Sequence, residues 1–152
     1  MAGICEGRVV VITGAGRGIG REHALAFARE GAKVVVNDLG GAVDGAGADA
    51  SPAQQVVDEI RAMGGEAVAN TDSVSDYAAA GRIIQTAIDT FGGLDVVVNN
   101  AGILRDRMFV NMTEDEFDTV IAVHLRGMFA VTRHAADYWR ARAKAGETND
   151  GR

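Results

Sequence analysis

Arg8-Val9-Val10-Val11-Ile12-Thr13-Gly14-Ala15-Gly16-Arg17-Gly18-Ile19-Gly20 is the stretch that decides the architecture. Its first half is a β-branched run, which reads as a short strand buried on both faces. Its second half places glycine at 14, 16, 18 and 20 and leads into a helical pattern from Ile19 to Glu30, with Ile19, His23, Phe27 and Leu25 or Ala26 near one face and Gly31 at its end. A strand that turns through glycines into a helix offers an anion free backbone N–H groups and a partial positive charge. The plainer reading is a strand-to-helix turn with no ligand. The next strand, Lys33 to Asn37, runs into Asp38. A carboxylate at the end of that strand accepts hydrogen bonds from the adenosine ribose of a dinucleotide and repels a 2′-phosphate. The pattern therefore predicts NAD rather than NADP, although Arg17 in the glycine loop would suit a 2′-phosphate. Asp38 alone is also an ordinary turn residue after a strand.

Outward from this unit the alternation continues. Asp38 to Ala50 reads as a flexible loop of small residues, and Ser51 and Gln54 form a capping-box pattern around Pro52 that opens a helix ending at Gly64-Gly65. A weaker strand, Glu66 to Asn70, is followed by a helix from about Ser75 to Phe91 and a strand from Asp95 to Asn99. Thr113 and Glu116 make a second capping box. It opens one long helix whose Phe117, Val120, Ile121, His124, Met128, Val131, Thr132, Ala135 and Trp139 are spaced as one apolar stripe. Strands alternating with helices predict an α/β fold. The expected form is a Rossmann-like, doubly wound parallel sheet with helices on both faces, in a single domain over 1–152.

Composition narrows the function classes. With 47% hydrophobic and 24% charged residues, the chain reads as a globular domain rather than a disordered one. No apolar run is long enough to span a bilayer. The net charge of −6 argues against nucleic acid or an anionic membrane as partner. The single cysteine excludes an internal disulfide and any multi-cysteine metal site, and no metal site is expected. The N-terminus shows no signal-peptide pattern, which points to the cytoplasm, with a C-terminal peroxisomal address left open.

The Thr-Gly-x-x-x-Gly-x-Gly string of Thr13 to Gly20 and Asn99-Asn100-Ala101-Gly102 after the fourth strand resemble the short-chain dehydrogenase/reductase family over nearly the whole chain. Val34 to Gly41, Gly102 to Arg107 and Val123 to Gly127 resemble the (3R)-hydroxyacyl-CoA dehydrogenase domains of peroxisomal multifunctional enzymes and their bacterial relatives. The resemblance implies an oxidoreductase acting on a secondary alcohol or ketone, with a hydroxyacyl or ketoacyl thioester such as an acyl-CoA as substrate. It places Gly14, Arg17, Gly18, Ile19 and Gly20 at the pyrophosphate and Asp38 with Leu39 at the ribose. Asp72, Ser73 and Val74 would border the adenine, and Asn99, Asn100, Ala101 and Gly102 the nicotinamide-side ribose. Asp72-Ser73 also reads simply as a lead into a helix. His124 stands where most of the family carries an asparagine that helps relay protons. On residue chemistry alone, a histidine on an apolar helix face is a packed core residue, and His23 and His134 read as surface or packing residues. The resemblance also implies a homo-oligomer formed through the helix 113–145.

The family's catalytic serine and Tyr-x-x-x-Lys are not matched. The tyrosines are Tyr77 and Tyr138, and four positions beyond them stand Gly81 and Arg142. Two readings follow. In one, the chain is the cofactor-binding half of an NAD-dependent dehydrogenase, cut before the catalytic segment. In the other, it ends at Arg152 as a dinucleotide-binding or interaction module without chemistry. Either way the fourth strand is expected to present a bare edge, and the long helix to lack part of its packing surface.

Overall fold

Five consecutive β-branched residues leave little choice but extended backbone, and β1 (Val9–Thr13) is buried at every position. The computed structural model describes residues 3–41 and 51–152, the side chain of Ser51 excepted. In chain order β1 is followed by α1 (Gly18–Arg29), β2 (Lys33–Asn37), α2 (Ser51–Ala62), β3 (Glu66–Asn70), α3 (Tyr77–Phe91) and β4 (Val96–Val98). A 3₁₀ turn (Phe109–Asn111), α4 (Glu114–Ile121), a π-helical segment (Ala122–Gly127) and α5 (Met128–Lys144) complete it. The sheet is wholly parallel in the order β3-β2-β1-β4, a Rossmann-like α/β arrangement. Most of the loop from Asp38 to Ala50 and the Ser51–Gln54 capping box lie outside the described residues.

Alternate residues of a strand face opposite sides of the sheet, and two cores result. Val10, Ile12, Val34 and Val36 pack against α1 and α2 through Leu25, Val57 and Ile60. Val9, Val11 and Val35 pack against α3 and α5 through Ile83, Ile84 and Val131. Each fully buried valine or isoleucine contributes about 1.5–3 kcal/mol relative to exposure, so both layers are needed to hold the central strands.

Four details differ from the sequence reading. α1 buries Gly20, Ala24, Leu25 and Ala28, while Ile19 is 72% exposed and His23 is exposed. The helix is turned so that its smallest residues meet β1. α3 starts at Tyr77 because the Asp76 side chain caps it, accepting from Ala79 N at 2.6 Å. The expected single helix from Thr113 is divided. The π-helical segment rotates α5 relative to α4, so the stripe does not meet one core. Val131 and Ala135 are buried, whereas Phe117 and Met128 are 54% and 52% exposed.

The fourth difference concerns the edge of β4, which is not bare. Arg152 N donates to Asp95 O at 2.9 Å, and Val97 N donates to Arg152 O at 2.8 Å. The Arg8–Asp150 ion pair and the bond that Asn149 Nδ2 donates to Trp139 O hold this tail in place.

The Thr113–Glu116 capping box forms as read. The Thr113 backbone N–H, and secondarily the Arg107 guanidinium, hold the Glu116 carboxyl below its ordinary range. A depressed value in the folded state means that the cap's contribution is complete above the unfolded carboxylate range, about pH 4.3, and is lost as pH falls through the lower folded value. Amide exchange in the first turn of α4 should accelerate on that acid side only, and Glu116→Ala should abolish the pH step. A first turn equally protected at every acid pH would contradict this.

Candidate functional site at the carboxyl ends of the strands

In open α/β sheets ligands bind beyond the carboxyl ends of the strands, where the strand order reverses. Here that place lies between β1 and β4. The two turns that leave these strands are tied to each other. Thr13 Oγ1 accepts from Asn100 N at 3.1 Å and from Ala101 N at 3.0 Å. Asn100 Nδ2 donates to Thr13 O at 3.0 Å and to Gly14 O at 2.9 Å. Gly14 has φ +65°, and a Cβ there would sit 2.8 Å from Ala101 Cα. The glycine is required both by its left-handed backbone and by the approach of the neighbouring turn.

The glycine turn delivers the chain to an uncapped helix. Arg17 occupies the cap position of α1 without a side-chain hydrogen bond to the helix, and no acidic residue stands in the first turn. α3 and α4 both carry side-chain caps. Among the described residues the first N–H groups of α1 therefore meet no side-chain acceptor, and Gly18 and Ile19 beside them are exposed. Arg17 Nη1 donates to Gly41 O at 3.2 Å.

Asp38 continues β2 and turns its carboxylate toward this loop. Oδ2 accepts from Gly16 N at 2.8 Å and Oδ1 from Gly40 N at 2.7 Å. The two amides fix the orientation of the carboxylate and leave each oxygen with further lone-pair capacity. Leu39, beside it, is 40% exposed. Beyond β3, the Asp72 carboxylate meets Arg82 and Asn70, Ser73 Oγ meets Ser75 Oγ at 2.9 Å, and Val74 is buried against Gly127.

A cleft of about 130 Å³ lies between the β1 and β4 turns and the π-helical segment, lined by Thr13, Val74, Asn99, Ala101, His124 and Gly127 among others. Asn99 Nδ2 donates to Thr132 Oγ1 at 3.0 Å. His124 Nε2 lies 2.8 Å from Ile103 O and 3.1 Å from Ile103 N, and this nitrogen serves one of them at a time according to tautomer. The ring is exposed rather than packed in a core, and a Cβ on Gly102 would come within 2.7 Å of it. His134 is half-buried and packs on Tyr77 with ring centroids 4.4 Å apart and the planes tilted by 45°.

A larger cleft, about 420 Å³, opens at the opposite end of the sheet between the C-terminal ends of α1 and α2. Its charged rim is partly self-neutralised by the Lys33–Glu66 pair at 3.4 Å. It lies far from the glycine turn and the strand ends. Among the described residues no group of three or more side chains is placed to hold a metal ion, and no helix is long and apolar enough to cross a membrane.

The residues named from the sequence thus gather along one rim. The turn that carries Gly14, Arg17, Gly18, Ile19 and Gly20 meets Asp38 through Gly16 N, and Asn99 to Gly102 with His124 lie on the other side. Val74 lines the same cleft as Asn99 and His124, and Asp72 and Ser73 lie outside it. Sequence reasoning missed Gly16 and Gly40, whose backbone amides anchor Asp38, and the buried Asn37 and Asn70 behind Asp72. The one signal for the asparagines was an amide residue closing each of two apolar strands.

Comparison with known proteins shows the family and agrees with the fold. Peroxisomal multifunctional enzyme type 2 of Mus musculus is 56% identical over 135 residues, 89% of this chain and 18% of that protein. Hydroxyacyl-CoA dehydrogenase ChsB1 of Mycobacterium tuberculosis is 52% identical over 146 residues, 93% of this chain and 43% of that protein. The chain therefore spans less than half the length of these curated relatives. A crystal structure of a short chain dehydrogenase from Mycobacterium avium matches with TM-score 0.91 and 63% identity, covering 98% of this chain and 53% of that one. The short chain dehydrogenase family model matches residues 8–147, and the chain belongs to that family.

Proposed function

We propose that the chain supplies the NAD-binding half of a dehydrogenase that interconverts a secondary alcohol and a ketone on an acyl thioester. The observation that carries the cofactor reading is the Asp38 carboxylate, held by Gly16 N and Gly40 N beside the uncapped start of α1. In this reading the first-turn amides of α1 hold the pyrophosphate, Asp38 accepts from the adenosine ribose hydroxyls, and Asn99 to Gly102 flank the second ribose. When bound, the nicotinamide supplies the hydride acceptor or donor.

The side chains of this chain bind and orient. Thr13 and Asn100 keep the two turns in register, and His124 holds the Ile103 backbone that leaves the site. With no Tyr-x-x-x-Lys in the chain, proton transfer is assigned to residues outside it. The thioester class rests on the relative named a hydroxyacyl-CoA dehydrogenase. Pairing of two copies through 113–145 belongs to the same proposal, supported by the exposed Phe117, Leu125 and Phe129. Sedimentation showing single copies only would remove that part.

Calorimetric titration with NAD and NADP tests the cofactor reading. NAD should bind, NADP more weakly, and neither should support turnover by this chain. Asp38→Asn keeps a side-chain acceptor but removes the charge. It should weaken NAD by about tenfold and narrow the gap to NADP, because a hydrogen bond to a charged group contributes about 1.5–3 kcal/mol. Equal affinity for NAD and NADP in the unaltered chain would overturn the assignment of Asp38. Turnover by the chain alone would overturn the division of labour.

A further inference from the structure

We propose that Gly16 governs the choice between NAD and NADP, because the absence of a Cβ there lets the Asp38 carboxylate seat against the glycine turn. Gly16 is thus a positioning residue that acts through Asp38, an inference that rests on the dinucleotide reading above and deepens it.

Position 16 is one that the Thr-Gly-x-x-x-Gly-x-Gly string leaves open. Gly14 and Gly18 have φ +65° and +54°, so a side chain at either would be strained by the backbone itself. Gly16 has no such φ. What requires glycine at 16 is space. A Cβ there would lie 2.8 Å from Asp38 Oδ2, 2.9 Å from Asp38 Cγ and 2.8 Å from Pro52 Cβ. The residue is enclosed between the side chain that follows β2 and the ring that stands in the first turn of α2.

Of the groups around it, only one is free to move. The turn cannot retreat, because Ala15 N donates to Asn37 O at 2.9 Å. Pro52 is buried, and its helix is anchored by the buried Ala53, Val56, Val57 and Ile60. The Asp38 backbone is tied to the end of β3, with Asp38 N donating to Asn70 O at 3.0 Å. The Asp38 side chain is half-buried and turns about χ1 and χ2. A methyl group at 16 therefore displaces the carboxylate. The bond from Gly16 N breaks, and the one from Gly40 N remains. The carboxylate keeps its charge and loses its aim. Both the bonds to the ribose hydroxyls and the repulsion of a 2′-phosphate depend on that aim.

Backbone amide shift titrations of the whole chain with NAD and with NADP test the idea. Gly16→Ala should weaken NAD by about tenfold, the scale of one hydrogen bond to a charged group, and bring the two dissociation constants within about threefold of each other. Asp38→Ala should do the same. Adding Gly16→Ala to Asp38→Ala should change NAD by less than about twofold, because both act through one carboxylate. Gly16→Ala combined with Pro52→Gly opens the opposite wall. The methyl group can then settle toward α2, and the preference for NAD should return.

Three results would overturn the role of Gly16 while leaving the dinucleotide site standing. They are an undiminished NAD preference in Gly16→Ala, losses in Gly16→Ala and Asp38→Ala that multiply, and a folded Gly16→Ala/Pro52→Gly chain that does not prefer NAD. A Gly16→Ala chain that does not fold would place the strain on α2 rather than on Asp38, and would overturn it too. Equal affinity for NAD and NADP in the unaltered chain would overturn the reading of Asp38 itself, and this inference with it.

Discussion

Gly20→Ala should destabilise the chain by about 3 kcal/mol, or stop it folding, although alanine is ordinarily the better helix residue by about 1 kcal/mol. The added Cβ would lie 2.1 Å from Gly14 O and 2.4 Å from Asn100 Nδ2. Neither atom is free to retreat. Gly14 O belongs to the turn that leaves β1, and Asn100 Nδ2 donates both to that oxygen and to Thr13 O. Relief therefore requires α1 to move off the sheet, and the face it would lift carries the buried Ala24, Leu25 and Ala28. Urea unfolding measures the loss. A midpoint at or above that of the unaltered chain would mean that α1 does not approach the β1 turn as closely as the geometry shows. Because the same turn carries the candidate pyrophosphate site, any folded Gly20→Ala protein should also bind NAD more weakly.

The closeness of α1 to β1 marks where sequence reading succeeds and where it stops. The run Val9 to Thr13 followed by glycines decides the first strand, the turn and the helix, because β-branching and glycine are local properties. The parallel order follows from alternation and crossover length. The face that α1 buries does not follow, because periodicity weighs Ile19 and Phe27 by size. The structure instead selects Gly20 and Ala24 for the approach they permit. The same limit applies to the helix after Thr113. Its capping box is local and legible, while the π-helical segment at Ala122–Gly127 shifts the phase between α4 and α5 and leaves Phe117 exposed. At the site, Asp38 was legible from its place after β2. Its anchoring by Gly16 N and Gly40 N was not, because backbone amides carry no sequence letter. The occupation of Asp72 by Arg82 depends on α3 packing beside β3, a contact between segments that no local pattern encodes.

Thr13→Val is expected to cost about 1–3 kcal/mol while changing almost nothing in shape, because it leaves Ala101 N without its acceptor and Asn100 N with Val98 O alone. Thr13 is 1% exposed, and its Oγ1 is the acceptor for Asn100 N and Ala101 N. Valine keeps the β-branched outline that suits the end of β1, so packing and strand propensity are preserved and the loss isolates the hydroxyl. Thr13→Ser makes the opposite change, keeping the hydroxyl and deleting a methyl group, and should cost roughly 1 kcal/mol. The two variants should also differ locally. Amide exchange at Asn100 and Ala101 should accelerate strongly in Thr13→Val and little in Thr13→Ser, since only the former releases the turn after β4. That turn forms one wall of the crevice, so Thr13→Val should weaken NAD through a loosened site even where the protein remains folded. A loss in Thr13→Ser larger than that in Thr13→Val would assign the role of Thr13 to its methyl group. The hydroxyl link between the glycine turn and the Asn99–Gly102 turn would then not be what holds the two halves of the crevice in register.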